Sequence, residues 1–165
     1  YEEARIWLNK QQGPFKVLVL PIDGEGMTYK WEYGFSGVEL SNNLFNQPMI
    51  SLSTSNGYLP EIVGSIKNTL LHYPEKLWIL AQLLNVKYLI VREDIDYIAR
   101  ETEAPEMDLK LVKDHMNKHF FPAAQFGKLK IFEINPSEFR PRIYAARSPA
   151  YLHDPQESYL NLVVN

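Results

Sequence analysis

Two short stretches hold the residue types and spacings that could do chemistry. The first is Asp94-Ile95-Asp96, a D-x-D that closes the run VKYLIVREDID at 86–96. Two carboxylates just past the carboxyl end of a buried strand are hard oxygen ligands of the kind that hold Mg²⁺ or Mn²⁺ on a diphosphate. Asp94 and Asp96 are therefore the candidate metal residues, and the activity they would serve is a metal-dependent nucleotide-sugar transfer. The same residues, with Arg92 and Glu93, are also what any buried strand shows where it comes out into water. The surroundings favour this plainer reading. No G-x-G-x-x-G follows the first predicted strand, no Walker sequence is present, and Pro21 stands where a nucleotide fold places its tight glycine turn.

The second stretch is MTYKWEYGFSGVELSNNLFNQP at 27–48. Tyr29, Trp31, Tyr33 and Phe35 alternate with period two, so one face of an extended strand would show four aromatic rings. Such rings stack on the faces of sugars, and Glu32, Asn42 and Asn43 could bind hydroxyl groups. These four aromatics are the candidate glycan-binding residues. The plainer reading is that the rings plug the edge of the core or meet the rest of the parent protein, and a third function class is an interaction module whose aromatic segment docks on a partner chain.

Other constellations fall short of a motif. Asp23 and Glu25 in DGEG resemble half of a calcium loop without its further acids and closing Glu. His115 and His119 are four apart on a predicted helix, but no H-E-x-x-H is present. Ser36 lies in Gly34-Phe35-Ser36-Gly37-Val38, which lacks the G-x-S-x-G frame. No cofactor is expected.

The elements that must position these residues are legible from periodicity and punctuation. YEEARIWLNKQQ (1–12) sets Ala4, Ile6, Trp7 and Leu8 roughly on one helical face, ended by Gly13-Pro14. FKVLVLP (15–21) reads as a buried strand. Residues 27–57 lack helical periodicity and read as a long irregular segment with a short strand at Met49–Ser53. Leu59 to Leu84 is helical in pattern, with Ile62, Val63, Ile66, Leu70 and Leu71 in one stripe. Pro74 divides it into two helices, and Asn85 is placed to end the second. VKYLIVRE follows at once as a strand. Residues 107–119 are amphipathic, 121–127 and 128–135 form a hairpin around Gly127, and 142–147 is a last strand. The fold class is thus α/β: a mixed sheet flanked by helices in two or three layers, with a late antiparallel hairpin.

The 165 residues make one domain, 1–165, with a tail at 148–165 of undefined structure. Apolar residues at 45% with 22% charged are globular, not disordered. A net charge of −3 offers no basic field, so nucleic acid is not an expected partner. The absence of cysteine excludes a disulfide framework and thiolate metal sites. No apolar run reaches the ~18–20 residues that span a bilayer. Tyr1 opens inside a predicted helix, which suggests a piece of a larger protein.

The order of phrases carries a family resemblance. WLNKQ (7–11), KVLVLP (16–21), Y-x-W-x-Y-G-x-x-G (29–37), LFNQPMIS (44–51), LLNVKYLIVRED (83–94), FGKLKIFEIN (126–135) and RIYAA (142–146) succeed one another over most of residues 1–147. This pattern resembles the soluble extracytoplasmic region of multi-spanning prokaryotic membrane proteins of the GT-C glycosyltransferase type, among them arabinofuranosyltransferase-like proteins. The resemblance implies that the parent uses lipid-phosphate-linked sugars and carries its catalytic acid in an early loop between membrane helices. That loop is not in this chain, so no catalytic residue can be carried over, and Asp94 and Asp96 receive no metal role. What it implies here is a non-catalytic accessory domain on the extracytoplasmic face. Its partner would be the membrane-embedded part of the parent chain, and its ligand a glycan or acceptor.

Overall fold

In a computed structural model of the protein, residues 1–22, 27–37, 40–51, 60–96, 119–137 and 139 are described. The centre is a mixed five-stranded sheet in the order β4-β1-β5-β7-β6. Its members are β1 (Lys16–Leu20), β4 (Met49–Ile50), β5 (Val86–Arg92), β6 (Phe120–Phe126) and β7 (Leu129–Ile134). β1 runs parallel to both β4 and β5, and β7 is antiparallel to β5 and β6. The expected hairpin at 121–135 is therefore present, and it joins the sheet through β7.

Alternation along each strand divides the core between the two faces. On one face, Leu18, Leu20, Leu89, Val91, Phe132 and Ile134 pack on α3 (Pro60–His72) and α4 (Leu77–Leu83) through Ile66, Leu70, Leu77, Leu80 and Ala81. On the other, Val17, Val19, Tyr88, Ile90, Leu129 and Ile131 pack on α1 (Glu2–Asn9) through Ala4 and Leu8. Helices thus cover both faces, in three layers. Near the start of β5 the register slips: Lys16 is opposite Val86 but Val17 is opposite Tyr88. Lys87 is the extra residue of this bulge, which is why Val86 joins the face of Leu89 and not that of Tyr88.

Several boundaries follow local chemistry. The 3₁₀ turn Pro74–Lys76 separates α3 from α4 at the expected proline. Asn85 takes the left-handed conformation (φ 59°) just after α4, where Asn is tolerated because its short polar side chain bonds locally. α1 buries Ala4 and Leu8, but Ile6 lies exposed, since 100° per residue turns it away from both.

The largest departure concerns residues 27–51. In place of an irregular segment there is a two-stranded antiparallel hairpin, β2 (Met27–Tyr29) with β3 (Phe35–Gly37), then a single helical turn, α2 (Ser41–Leu44), leading to β4. Strands of three residues are too short for alternation to announce them. The helix expected at 107–119, apart from His119, the strand at 142–147 and the tail at 148–165 lie outside the described residues.

Candidate functional site

The hairpin sits at the carboxyl end of β5, where open α/β sheets present their ligand sites. The chain that leaves β5 continues it onto the hairpin. Tyr29 bridges Ile95, Lys30 N–H donates to Asp94 O at 2.6 Å, and Asp96 N–H donates to Thr28 O at 2.8 Å. The D-x-D is thus an extended splice between the main sheet and β2.

The four predicted aromatics do not share one strand face. The chain reverses between Tyr29 and Phe35, which lie opposite each other in register. Gly34 N–H donates to Trp31 O at 2.9 Å, closing a turn with Tyr33 near its tip, and Gly34 has φ 62°, a value glycine adopts freely. A Cβ on Gly37 would stand 2.9 Å from Phe35 Cζ, so this glycine gives the Phe35 ring its seat. Three of the rings are brought together. Tyr29 lies 4.6 Å from Trp31 and 5.6 Å from Phe35, and Trp31 stacks on Phe35 at 5.8 Å and 22°. Tyr29 is the buried floor, Trp31 and Phe35 are each 37% exposed, and Tyr33 stands out at 93%.

Beneath the rings lies a polar cluster that neither reading of the D-x-D anticipates. Arg92 and Asp94 are not a solvated strand end, because both are buried, Asp94 to 4% exposure. The Arg92 guanidinium donates to Tyr29 Oη, Ser41 Oγ and Met27 Sδ, each at 3.4 Å, and lies 5.8 Å from the centre of the Tyr29 ring. Asp94 Oδ2 accepts from the Trp31 indole N–H at 3.0 Å and from the Tyr1 hydroxyl at 2.7 Å. Asp94 Oδ1 is buried and accepts no hydrogen bond from the described residues. Burial raises the Tyr1 phenol well above its ordinary value, and the charge of Asp94 and the bond to it push the same way.

Asp96 lies apart from this cluster, with its carboxylate 4.0 Å from Lys30 Nζ. Among the described residues no group of three or more acidic or histidine side chains gathers that could hold a metal ion. Of the histidines, His119 stacks on Trp78 at 4.5 Å, while His115 lies outside the described residues. Sequence reasoning missed Tyr1, Met27, Ser41 and Arg92. Only Arg92 left a signal: a cation in the last position of an apolar strand, where burial demands partners.

No protein-family model matches the chain, and no curated protein matches its sequence. Among solved structures it is similar to part of the arabinofuranosyltransferase AftD from Mycobacteria, at 16% identity and TM-score 0.61, covering 83% of this chain and 12% of that one. A mutant of that enzyme gives 17% identity and TM-score 0.59 over 80% of this chain and 12% of that one. The C-terminal globular domain of an oligosaccharyltransferase from Archaeoglobus fulgidus matches at 15% identity and TM-score 0.45, covering 81% of this chain and 95% of that one. The molecule is thus an α/β domain with the fold of one segment of an arabinofuranosyltransferase, spanning 12% of that enzyme's length. The resemblance read from the phrases of the sequence is met at the level of fold. No helix among the described residues is long and apolar enough to cross a membrane.

Proposed function

We propose that this chain is a non-catalytic, extracytoplasmic accessory domain of a membrane glycosyltransferase-like protein of the GT-C type, and that it holds a glycan or glycan acceptor on its aromatic hairpin. The observation that carries the glycan reading is the ridge itself: Trp31 and Phe35 stacked and partly exposed, with Tyr33 exposed in the turn that joins them. Aromatic faces suit the C–H faces of sugars. A hydrogen bond to a buried carboxylate fixes the Trp31 indole, so the ridge is ordered before a ligand arrives. The fold shared with part of an arabinofuranosyltransferase supports the accessory role and the membrane-attached parent. Trp31, Tyr33 and Phe35 make the contact surface, and Tyr29 supports it from below.

Titration of the 165-residue chain with neutral arabino- and manno-oligosaccharides tests the binding. Tryptophan fluorescence and the Trp31 indole and Gly34 amide signals should shift saturably. Tyr33→Ala removes an exposed ring with no bearing on the core, and should weaken binding by roughly 3- to 10-fold. Unmoved hairpin signals at millimolar sugar, or unchanged affinity in Tyr33→Ala and Phe35→Ala alike, would sink the glycan reading.

A further inference from the structure

The Trp31 ring is gripped from two directions. Tyr29 and Phe35 belong to the hairpin's own strands, so they move with it. Tyr1 and Asp94 belong to the body of the domain. Asp94 lies just past β5, and Tyr1 stands at the start of α1, where its carbonyl accepts from Arg5 N–H at 2.9 Å. The Tyr1 side chain makes no cap bond to the helix and reaches Asp94 instead. Its ring stands edge-on to Trp31 at 5.9 Å and 74°, and lies 6.1 Å from the buried ring of Phe45 at the end of α2.

Asp94 joins these partners through a single atom. Its Oδ2 accepts from both the Tyr1 hydroxyl and the Trp31 indole N–H, while Oδ1 accepts no hydrogen bond from the described residues. A buried carboxylate needs donors, and a bond to a charged acceptor is roughly twice as strong as a neutral one. Here the donors come from two different elements. Taking away either leaves a buried charge leaning on the other, so the three side chains hold or loosen as a unit. The helix behind Tyr1 is itself fixed. Ala4 and Leu8 are fully buried against the sheet, and Asn9 Oδ1 accepts from Gln47 Nε2 at 2.9 Å near the start of β4. The indole is therefore oriented against the body of the domain and not by its own hairpin alone.

We infer that Tyr1 is a positioning residue for the aromatic ridge: through Asp94 it sets the orientation of Trp31, so that α1 governs how tightly the hairpin holds a saccharide. Tyr1 does not contact the ligand; it acts on the ring that does. The consequence for binding rests on the glycan reading of the hairpin, whereas the clamp itself rests on geometry alone. A side chain already fixed has little freedom left to lose on binding, and a loose one has more. Loss of the clamp should therefore weaken saccharide binding without removing any contact to the sugar.

Two-dimensional NMR of the 165-residue chain reads the clamp directly. The chain has three tryptophans, and Trp31→Phe assigns the Trp31 indole signal. Tyr1→Phe keeps the ring beside Phe45 and removes only the hydroxyl. With no sugar present, the Trp31 indole N–H signal should move in this variant and exchange with solvent about 3- to 10-fold faster, with the Trp78 signal unchanged. With neutral arabino- and manno-oligosaccharides, Tyr1→Phe should bind about 3- to 10-fold more weakly than wild type. Ile6→Ala alters an exposed residue of the same helix and should change neither reading. Asp94→Asn keeps the shape, removes the charge and should reproduce the Tyr1→Phe indole response; if it does not fold, Tyr1→Phe decides alone. A Trp31 indole unchanged in Tyr1→Phe, in position and exchange, would overturn the inference. So would an altered indole with unchanged sugar affinity. A wild type that does not respond to the sugars, while Tyr1→Phe still moves the indole, would overturn the glycan reading and leave the clamp standing.

Discussion

Tyr1, Trp31 and Asp94 show how much one carboxylate organises. Asp94 Oδ2 ties the first residue of the chain to the tip-side of the hairpin through two donors. The arrangement needs Tyr1 as a neutral phenol, and burial beside Asp94 keeps it so above its ordinary value of 10.0. The sign follows from linkage. Below pH 10 the phenol is protonated in both folded and unfolded chains, and its contribution is whole. Above pH 10 only the unfolded chain gives up the proton, so stability falls as pH rises toward the higher folded value, by at most about 1.4 kcal/mol per pH unit for this one group. Urea unfolding of wild type and Tyr1→Phe between pH 8 and about pH 11 should therefore show a gap that narrows with pH. Parallel curves would show that the Tyr1 phenol is not held in this way.

At the scale of elements, the hairpin β2–β3 is a small unit docked on the end of β5. Its own core is Met27 and Tyr29 with Ile95, so its order depends on the splice at 94–96 and on its turn. Gly34 at φ 62° is the turn's conformational requirement. Gly34→Ala should cost about 1–2 kcal/mol, through the strain of an L-residue in that region. Hydrogen exchange is the suitable measurement, because a small docked unit opens independently of the sheet. Amides of residues 27–37 should exchange roughly 5- to 30-fold faster, with those of β5 and β7 unchanged. Uniform acceleration across both would mean that the hairpin and the sheet open as one.

For the molecule as a whole, the three layers meet on β5. Its alternating residues face α3 and α4 on one side and α1 on the other, so a single strand belongs to both halves of the core. Leu89 is fully buried between β1, β7 and the α3–α4 layer. Leu89→Ala should cost about 2–5 kcal/mol, the range for a leucine cavity in a close-packed interior. Denaturant unfolding followed by tryptophan fluorescence and by circular dichroism would read it, and a loss under about 1 kcal/mol would mean that the layers relax around the cavity.

The sequence by itself determined the α/β class, central strands within 15–21 and 86–93, the divided helix at Pro74 and the late hairpin around Gly127. Each is written in local periodicity or in one residue's backbone preference, which need no distant partner to be read. It also marked Tyr29, Trp31, Tyr33 and Phe35 by their period-two spacing, which set all four rings on one face of an extended strand. Only the tertiary structure decided that these rings sit on a hairpin and not along one strand. The pairing of Tyr29 with Phe35, the splice to Ile95 and the seat on Gly37 set that arrangement. Likewise Arg92 and Asp94 read as a charged strand end until Tyr1, 93 residues away, and Trp31, 63 away, are folded over Asp94. Local sequence encodes the conformation of each element. The burial of a charge arises from contacts between elements, and those exist only once the sheet is assembled.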